Sequence, residues 1–206
     1  MLDRLLKFLP VETLRGYENP ELIETIFQKT LAYRPTDPWP EMVGVRSVVD
    51  FGGACGRHYK EAQLQSPSIR WAVVETPSMA ARARELETPN LRFFTDVDTA
   101  AEWIGEVEVV HSNGAIQYAG DPLKIVTKLC SLSARKMLWY RVFLGSGQKA
   151  TEVSRLADNG PGRMKLPWKK VSYDRSAIRE EKFLAAHEGY RLSARGSDWF
   201  KFDLDR

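Results

Sequence analysis

"VVDFGGACGRHYKEA", residues Val48 to Ala62, decides how the rest of the chain is read. Val48, Val49 and Phe51 flank Asp50 in a short apolar run that reads as a buried strand. Gly52, Gly53, Ala54, Cys55 and Gly56 then turn the chain with almost no side-chain bulk, and a helical composition follows. A strand, a turn of small residues and a helix form a βα unit whose backbone lets a ligand approach closely. That ligand is expected to be a small anionic or zwitterionic cofactor.

The same rhythm extends outward. "RSVVDF", "RWAVVET", "LRFFT", "VEVVHSN" and "KMLWYRVFL" read as five strands. "HYKEAQLQ", "PSMAARARELE", "DVDTAAEWI" and "DPLKIVTKLCSLS" read as helices, with Pro77 opening the second and Asp121 capping the fourth ahead of Pro122. Repeated βα units predict a mostly parallel α/β sheet, doubly wound, with helices on both faces. Towards the C-terminus, "SAIREEKFLAAHEGY" reads as a helix capped by Ser176, with His187 an ordinary surface or helix-end residue. "YRLSARG" and "DWFKFDL", joined at Gly196, predict an antiparallel strand at the sheet edge. Residues 145–173 carry no long helical pattern and read as a lid or binding loop, with Trp168, Val171 and Tyr173 seeking burial.

Ahead of the sheet, "ENPELIETIFQKTLAYRP" predicts a helix with Asn19 as N-cap and Pro20 as its first residue. Leu22, Ile23, Ile26, Phe27 and Leu31 form its apolar face. Pro35, Pro38 and Pro40 make the next segment a linker. "MLDRLLKFLP" is amphipathic through Leu2, Leu5, Leu6, Phe8 and Leu9, a stripe suited to packing on the domain or on a second copy in a homodimer. The expected organisation is an N-terminal helical cap and linker over 1–40 and one domain over 41–206.

Composition narrows the function. The 206 residues are 43% hydrophobic with a net charge of +3, and basic and acidic residues are interspersed. The densest basic stretch, Arg163, Lys165, Lys169 and Lys170 around Trp168, reads as a solvated loop, so no nucleic-acid partner is expected. The two cysteines, Cys55 and Cys130, form no CxxC or Cys/His cluster, which predicts no metal and no disulfide and fits the cytoplasm. No apolar run approaches the about 18 residues of a membrane span, and the N-terminus does not read as a secretory signal.

Two cofactor classes use a turn of this kind. A dinucleotide fingerprint, counted from Gly52, would need glycines where Ala54 and Arg57 stand, and no Tyr-x-x-x-Lys pair is present. Both facts speak against an NAD-dependent oxidoreductase or epimerase. The alternative spacing is an acid followed by small residues at every second place: Asp50, Gly52, Ala54, Gly56. This resembles the first motif of the class I S-adenosylmethionine-dependent methyltransferases. The runs "VVDFGGACGRHY", "RWAVVETP", "LRFFTDVD", "VHSNGAIQYAGDP" and "GYRL" occur in that order. Over Val45 to Leu192 they are similar to a bacterial methyltransferase family often encoded beside surface-polysaccharide genes.

The resemblance implies a Rossmann-like methyltransferase domain using S-adenosyl-L-methionine, acting on a small-molecule or glycan-linked acceptor in polysaccharide biosynthesis. Asp50 would neutralise the cofactor's ammonium against the turn Gly52, Gly53, Ala54, Cys55 and Gly56. Glu75, at the end of the second strand, would accept the ribose hydroxyls, since a carboxylate offers two acceptor oxygens. Phe94 would pack on the adenine and Thr95 or Asp96 would bond its amine. The family favours glycine where this chain has Ala54, which would strain an alanine if the position takes positive φ.

Methyl transfer is an in-line displacement helped by positioning, and an oxygen acceptor can also need a base. The segment after the fourth strand should face the methyl, with Asn113 at the cofactor and Gln117 at the substrate. His111 is a candidate base, or a histidine bonded inside the strand end. Tyr118 and Arg141 are further catalytic candidates, with Arg141 needing a substrate carboxylate or phosphate, or Asp158, as its partner. His58 and Tyr59 could line the acceptor pocket with Asp158 and Asn159, which could equally be turn residues. A non-catalytic Rossmann-like binding or scaffold protein is the other open reading.

Overall fold

The computed structural model describes residues 12–205. The amphipathic stripe from Leu2 to Leu9 therefore lies outside the described residues. The chain enters with β1 (Thr13–Arg15) and α1 (Pro20–Ala32). As its sequence requires, α1 is capped by the Asn19 side chain, which accepts the Glu21 and Leu22 amides. Leu22, Ile23, Ile26 and Phe27 are buried along one face, but Leu31 is 47% exposed. It sits in the last turn, beyond the reach of the core. A single 3-10 turn, Pro40–Met42, is the only helical piece of the proline-rich linker.

Five strands then alternate with helices: β2 (Ser47–Phe51), α2 (Arg57–Gln63), β3 (Arg70–Val74), α3 (Pro77–Ala83), β4 (Leu91–Phe94), α4 (Val97–Ile104), β5 (Val109–Asn113), α5 (Pro122–Cys130) and β6 (Lys136–Tyr140). After the hairpin β7 (Lys149–Arg155) and β8 (Lys170–Ser176) come α6 (Glu180–Ala185), β9 (Tyr190–Arg195) and β10 (Phe200–Leu204). The main sheet has the order β4-β3-β2-β5-β6-β10-β9, parallel through its first five strands. One face is covered by α1, α2 and α3, whose Phe27, Tyr59 and Met79 share a core with Trp71. The other is covered by α4, α5 and α6 around Val110, Trp139 and Phe183. Burial on both faces is why these strands are continuous apolar runs and not alternating ones. Among the described residues, no helix is long and apolar enough to cross a membrane.

The antiparallel C-terminal hairpin lies at the sheet edge as expected, with β10 beside β6 and β9 outermost. Burial decides the order within the hairpin, because β10 carries Phe200 and Phe202 into the core while β9 is mostly exposed. Two other expectations change. Residues 145–173 are not a plain loop. β7 and β8 form an antiparallel ribbon, and β1 adds to β8 in parallel to complete a three-stranded sheet. Val171 and Tyr173 alternate onto the buried face of β8, whereas Trp168, in the connection, is 60% exposed. Ser176 is not a helix cap, since it still pairs with Lys149 in the ribbon, and α6 starts at Glu180.

His187 is also a core residue and not a surface one. It stacks on Phe202 at 3.7 Å, and its Nδ1 bonds the Phe183 carbonyl at 2.7 Å. Burial pushes its pKa down to about 4. The unfolded chain therefore takes up this proton first as pH falls, so stability present above about 6.5 is lost on acidification towards 4. Thermal unfolding of His187→Phe should retain about 2 kcal/mol that the wild type loses between pH 7 and 5.

Candidate functional site

The sheet changes winding direction between β2 and β5, where Asp50 and His111 are register partners. Ligands of doubly wound sheets bind beyond the strand ends at such a point. Here the turn after β2 makes the floor. Gly52 has φ +72°, and a Cβ there would stand 2.1 Å from the Ala115 side chain. A Cβ on Gly53 would stand 2.2 Å from the Asp50 carboxylate. Only glycine fits either position. Ala54 adopts φ +49°, the strained conformation that the glycine-favouring pattern anticipates.

The Ala54 amide donates to Glu75 Oε1 at 2.9 Å, and the Thr76 amide to Oε2 at 2.8 Å. These bonds hold the Glu75 carboxyl at the end of β3, at the cavity wall. Burial pushes its pKa up to about 7 in spite of the two amides.

Asp50 is placed differently from expectation. It is 0% exposed and lies beneath the turn. It accepts His111 Nδ1 on Oδ1 at 2.8 Å and the Trp71 indole N–H on Oδ2 at 3.1 Å. Burial works to raise its pKa, but His111, by charge and hydrogen bond, and His58 outweigh it and hold the carboxyl well below the usual range. A buried, internally bonded carboxylate is not presented to a cofactor ammonium. His111 is likewise fully buried and bonded inside the strand end, so it does not reach the cavity.

The cavity above the turn measures about 830 Å³, in the range of small-molecule sites. Gly52, Gly53, Ala54, Glu75, Thr95 and Asn113 line it from the expected cofactor set. His58, Tyr118, Arg141, Asp158 and Asn159 line it from the catalytic and substrate sets. The remaining candidates lie elsewhere. Cys55 Sγ sits 3.6 Å from Met79 Sδ, with its thiol pushed up to about 12 by burial. Gly56 packs beside Leu91 and Phe93. Phe94 stacks near Trp103, and Asp96 caps α4. Tyr59 turns its hydroxyl to Gln63, and Gln117 is buried, donating to the Arg141 carbonyl.

Several lining residues were not anticipated. Tyr17, between β1 and α1, stacks on Tyr173 of β8 at 4.4 Å and meets Tyr118 edge-on at 5.1 Å. Glu152 of β7 accepts both the Tyr118 hydroxyl and Arg175. The small sheet thus contributes a wall to the same cavity as the glycine turn. Their one sequence signal is the alternation of Val171 and Tyr173, which marks a strand once a neighbouring strand is known. Asn159 is partly structural: it accepts the Tyr173 hydroxyl and donates to the Arg155 carbonyl.

Arg141 holds φ +52° directly after β6. Its guanidinium lies across Gly114, where a Cβ would come within 2.8 Å of Nη2. Nε donates to Asn113 Oδ1 at 2.6 Å and Nη2 to the Asn113 carbonyl at 3.2 Å. Asp158 does not pair with it. Among the described residues it has no carboxylate within ion-pair distance, so it is a cation held by neutral groups at the cavity wall. Strained backbone of this kind costs about 1–3 kcal/mol and tends to persist at working sites.

Asp50, His58 and His111 place donor atoms within 4.8 Å of one another, a spacing that could admit a metal ion. The neighbouring amide opposes it. An ion on His58 Nδ1 would leave a proton on Nε2, facing the Asn113 Nδ2 donor at 3.3 Å.

No protein-family model matches the sequence, and no curated protein matches it. Solved structures match by fold. The sugar N-methyltransferase KedS8 from Streptoalloteichus sp ATCC 53650 is 18% identical with a TM-score of 0.52, over 91% of this chain and 88% of that one. Streptomyces venezuelae DesVI is 12% identical with a TM-score of 0.52, over 89% of each chain. The N-terminal domain of EvdMO1, solved with S-adenosylhomocysteine bound, is 15% identical with a TM-score of 0.50, over 81% of this chain and 77% of that one. The fold is the Rossmann-like one of class I S-adenosylmethionine-dependent methyltransferases, with seven strands and an antiparallel C-terminal hairpin.

Ala54 supplies a direct test of the turn. Relieving positive φ outweighs the added flexibility of the unfolded chain, so Ala54→Gly should raise stability by about 0.5–1 kcal/mol in denaturant unfolding. An unchanged or lower midpoint would mean that the position is not strained.

Proposed function

We propose that this protein transfers a methyl group from S-adenosylmethionine to a small-molecule or glycan-linked acceptor that carries an anionic group. The observation that carries the reading is the switch-point turn. There, a glycine floor that no side chain could occupy stands beside a carboxylate tied to the turn's own amide.

The residues fit the cofactor. Gly52 and Gly53 leave room for close approach, and Glu75 would take the ribose hydroxyls on the lone pairs its backbone donors leave free. Thr95, at the end of β4, would serve the adenine. When bound, the cofactor supplies an electrophilic methyl on a sulfonium. Tyr17, Tyr118 and Tyr173 would shield the cavity from water, and their clustered rings suit the apolar faces of a sugar or aromatic acceptor. Arg141, lacking a carboxylate partner, would orient an acceptor phosphate or carboxylate. The family resemblance adds a glycan-linked acceptor and polysaccharide biosynthesis to this reading, and the free Cys55 and Cys130 suit a cytoplasmic setting.

Calorimetric titration with S-adenosylhomocysteine tests it, with NAD as control. Glu75→Gln should weaken binding by roughly tenfold or more, because ribose hydroxyls prefer the ionised acceptor. The same preference sets a pH dependence. Glu75 is protonated below about 7, so affinity should fall as pH drops through that value, with one proton released on binding. Binding of NAD in place of S-adenosylhomocysteine would overturn the reading.

Arg141 is tested separately. Arg141→Ala should abolish methyl transfer while leaving S-adenosylhomocysteine affinity near wild type. If affinity for S-adenosylhomocysteine collapses while 5′-methylthioadenosine still binds, Arg141 instead holds the cofactor's own carboxylate.

A further inference from the structure

His58 opens α2 at the cavity wall, and its orientation can be read from its neighbours. Asn113 Nδ2 lies 3.3 Å from His58 Nε2. The Asn113 amide is not free to turn, because its Oδ1 takes the Arg141 Nε–H at 2.6 Å. A guanidinium has donors only, so the oxygen must face Arg141 and the NH2 must face His58. An NH2 only donates. Nε2 therefore carries the lone pair, and the ring proton sits on Nδ1. That nitrogen is buried, has no hydrogen-bond partner, and lies 3.6 Å from Asp50 Oδ2. The separation is too long for a hydrogen bond but short for a charge and a ring N–H in a dry interior. Arg141, Asn113, His58 and Asp50 thus form a line from the cavity wall into the core. His58 lines the cavity with an unprotonated Nε2 that takes only the long Asn113 contact, and a carboxylate lies behind the ring.

The other two histidines, the Tyr118 hydroxyl and the Glu75 carboxylate are all engaged. The chain has three histidines; His111 is bonded inside the strand end and His187 stacks under Phe202. The Tyr118 hydroxyl donates to Glu152, and both Glu75 oxygens hold backbone amides.

Resting on the methyltransferase reading above, we propose that His58 Nε2 is the base that removes the acceptor hydroxyl's proton, with Asn113 and Asp50 as its positioning residues. An incoming hydroxyl displaces the weak Asn113 contact and donates to Nε2. The acceptor oxygen forms the new O–C bond as the C–S bond breaks, and that bond's electron pair stays on sulfur as the thioether. The hydroxyl proton moves to Nε2, giving an imidazolium whose charge faces Asp50. The proton passes to water when product leaves, and the neutral ring is restored. The carboxylate of the turn motif thereby works through a histidine and not through the cofactor.

Side-chain ¹⁵N NMR on the full chain tests the tautomer directly, with only three imidazoles to assign. Wild type should show His58 protonated on Nδ1 and bare on Nε2, and Asn113→Asp, which removes the donor, should move the proton to Nε2. A wild-type proton on Nε2 overturns the proposal. Transfer of a tritiated methyl group is then read with nucleoside-diphosphate sugars as the probe. His58→Gln should lower kcat by about 100-fold or more while S-adenosylhomocysteine affinity stays within about threefold. A His58→Gln protein turning over near the wild-type rate also overturns it. The outcomes for the enzyme itself are separate: wild type that does not bind S-adenosylhomocysteine sinks the methyltransferase reading. Wild type that binds it but methylates no probe sinks the acceptor class, and the tautomer result still decides the role of His58.

Discussion

The ionised Asp50 carboxylate, sealed beneath the first βα turn, is the constraint on which the site depends. Removing such a charge from water costs several kcal/mol unless donors replace the lost solvent. His111 from β5 and Trp71 from β3 supply them, so the two strands flanking β2 are tied to it by side chains as well as by the ladder. The same carboxylate occupies the space a Gly53 side chain would need. The flatness of the turn is therefore set by a buried acid at Gly53 and by the Ala115 side chain at Gly52.

Built on that base, the cavity has two unlike walls. One is rigid and belongs to the main sheet: a glycine floor, an anchored carboxylate and an arginine laid over Gly114. The other is the small sheet, which brings Tyr173 and Glu152 to meet Tyr17 from near the start of the described chain. Anchored polar groups stand on the first wall, and stacked rings stand on the second.

Most of the main sheet was legible because each strand is a short apolar run bounded by Gly, Pro or a capping residue, which local chemistry alone can mark. What escaped was set by distant partners. β7 and β8 look like loop until β1 and the core face of β8 are known, since only Val171 and Tyr173 carry the period. The hairpin itself was legible, but which of its strands pairs with β6 was settled by the burial of β10. At the site, residue types were more legible than their directions. Gly52, Gly53, Glu75 and Arg141 do face the cavity, whereas Asp50 and His111 turn inward to each other. A motif shows which residues are gathered at a strand end; which way each points depends on the cost of burying its charge.

The pairing of β1 with β8 joins Thr13 to Lys170, across most of the described chain. Closing so long a loop carries an entropic cost that is repaid only after the intervening sheet has formed. The strand is three residues long and, among the described strands, pairs with β8 alone, so it is held by a shorter ladder than the β2–β5 core. Because Tyr17 lies just past that strand, undocking it would carry one of the stacked rings away from the cavity, coupling access to the chamber to a short peripheral ladder.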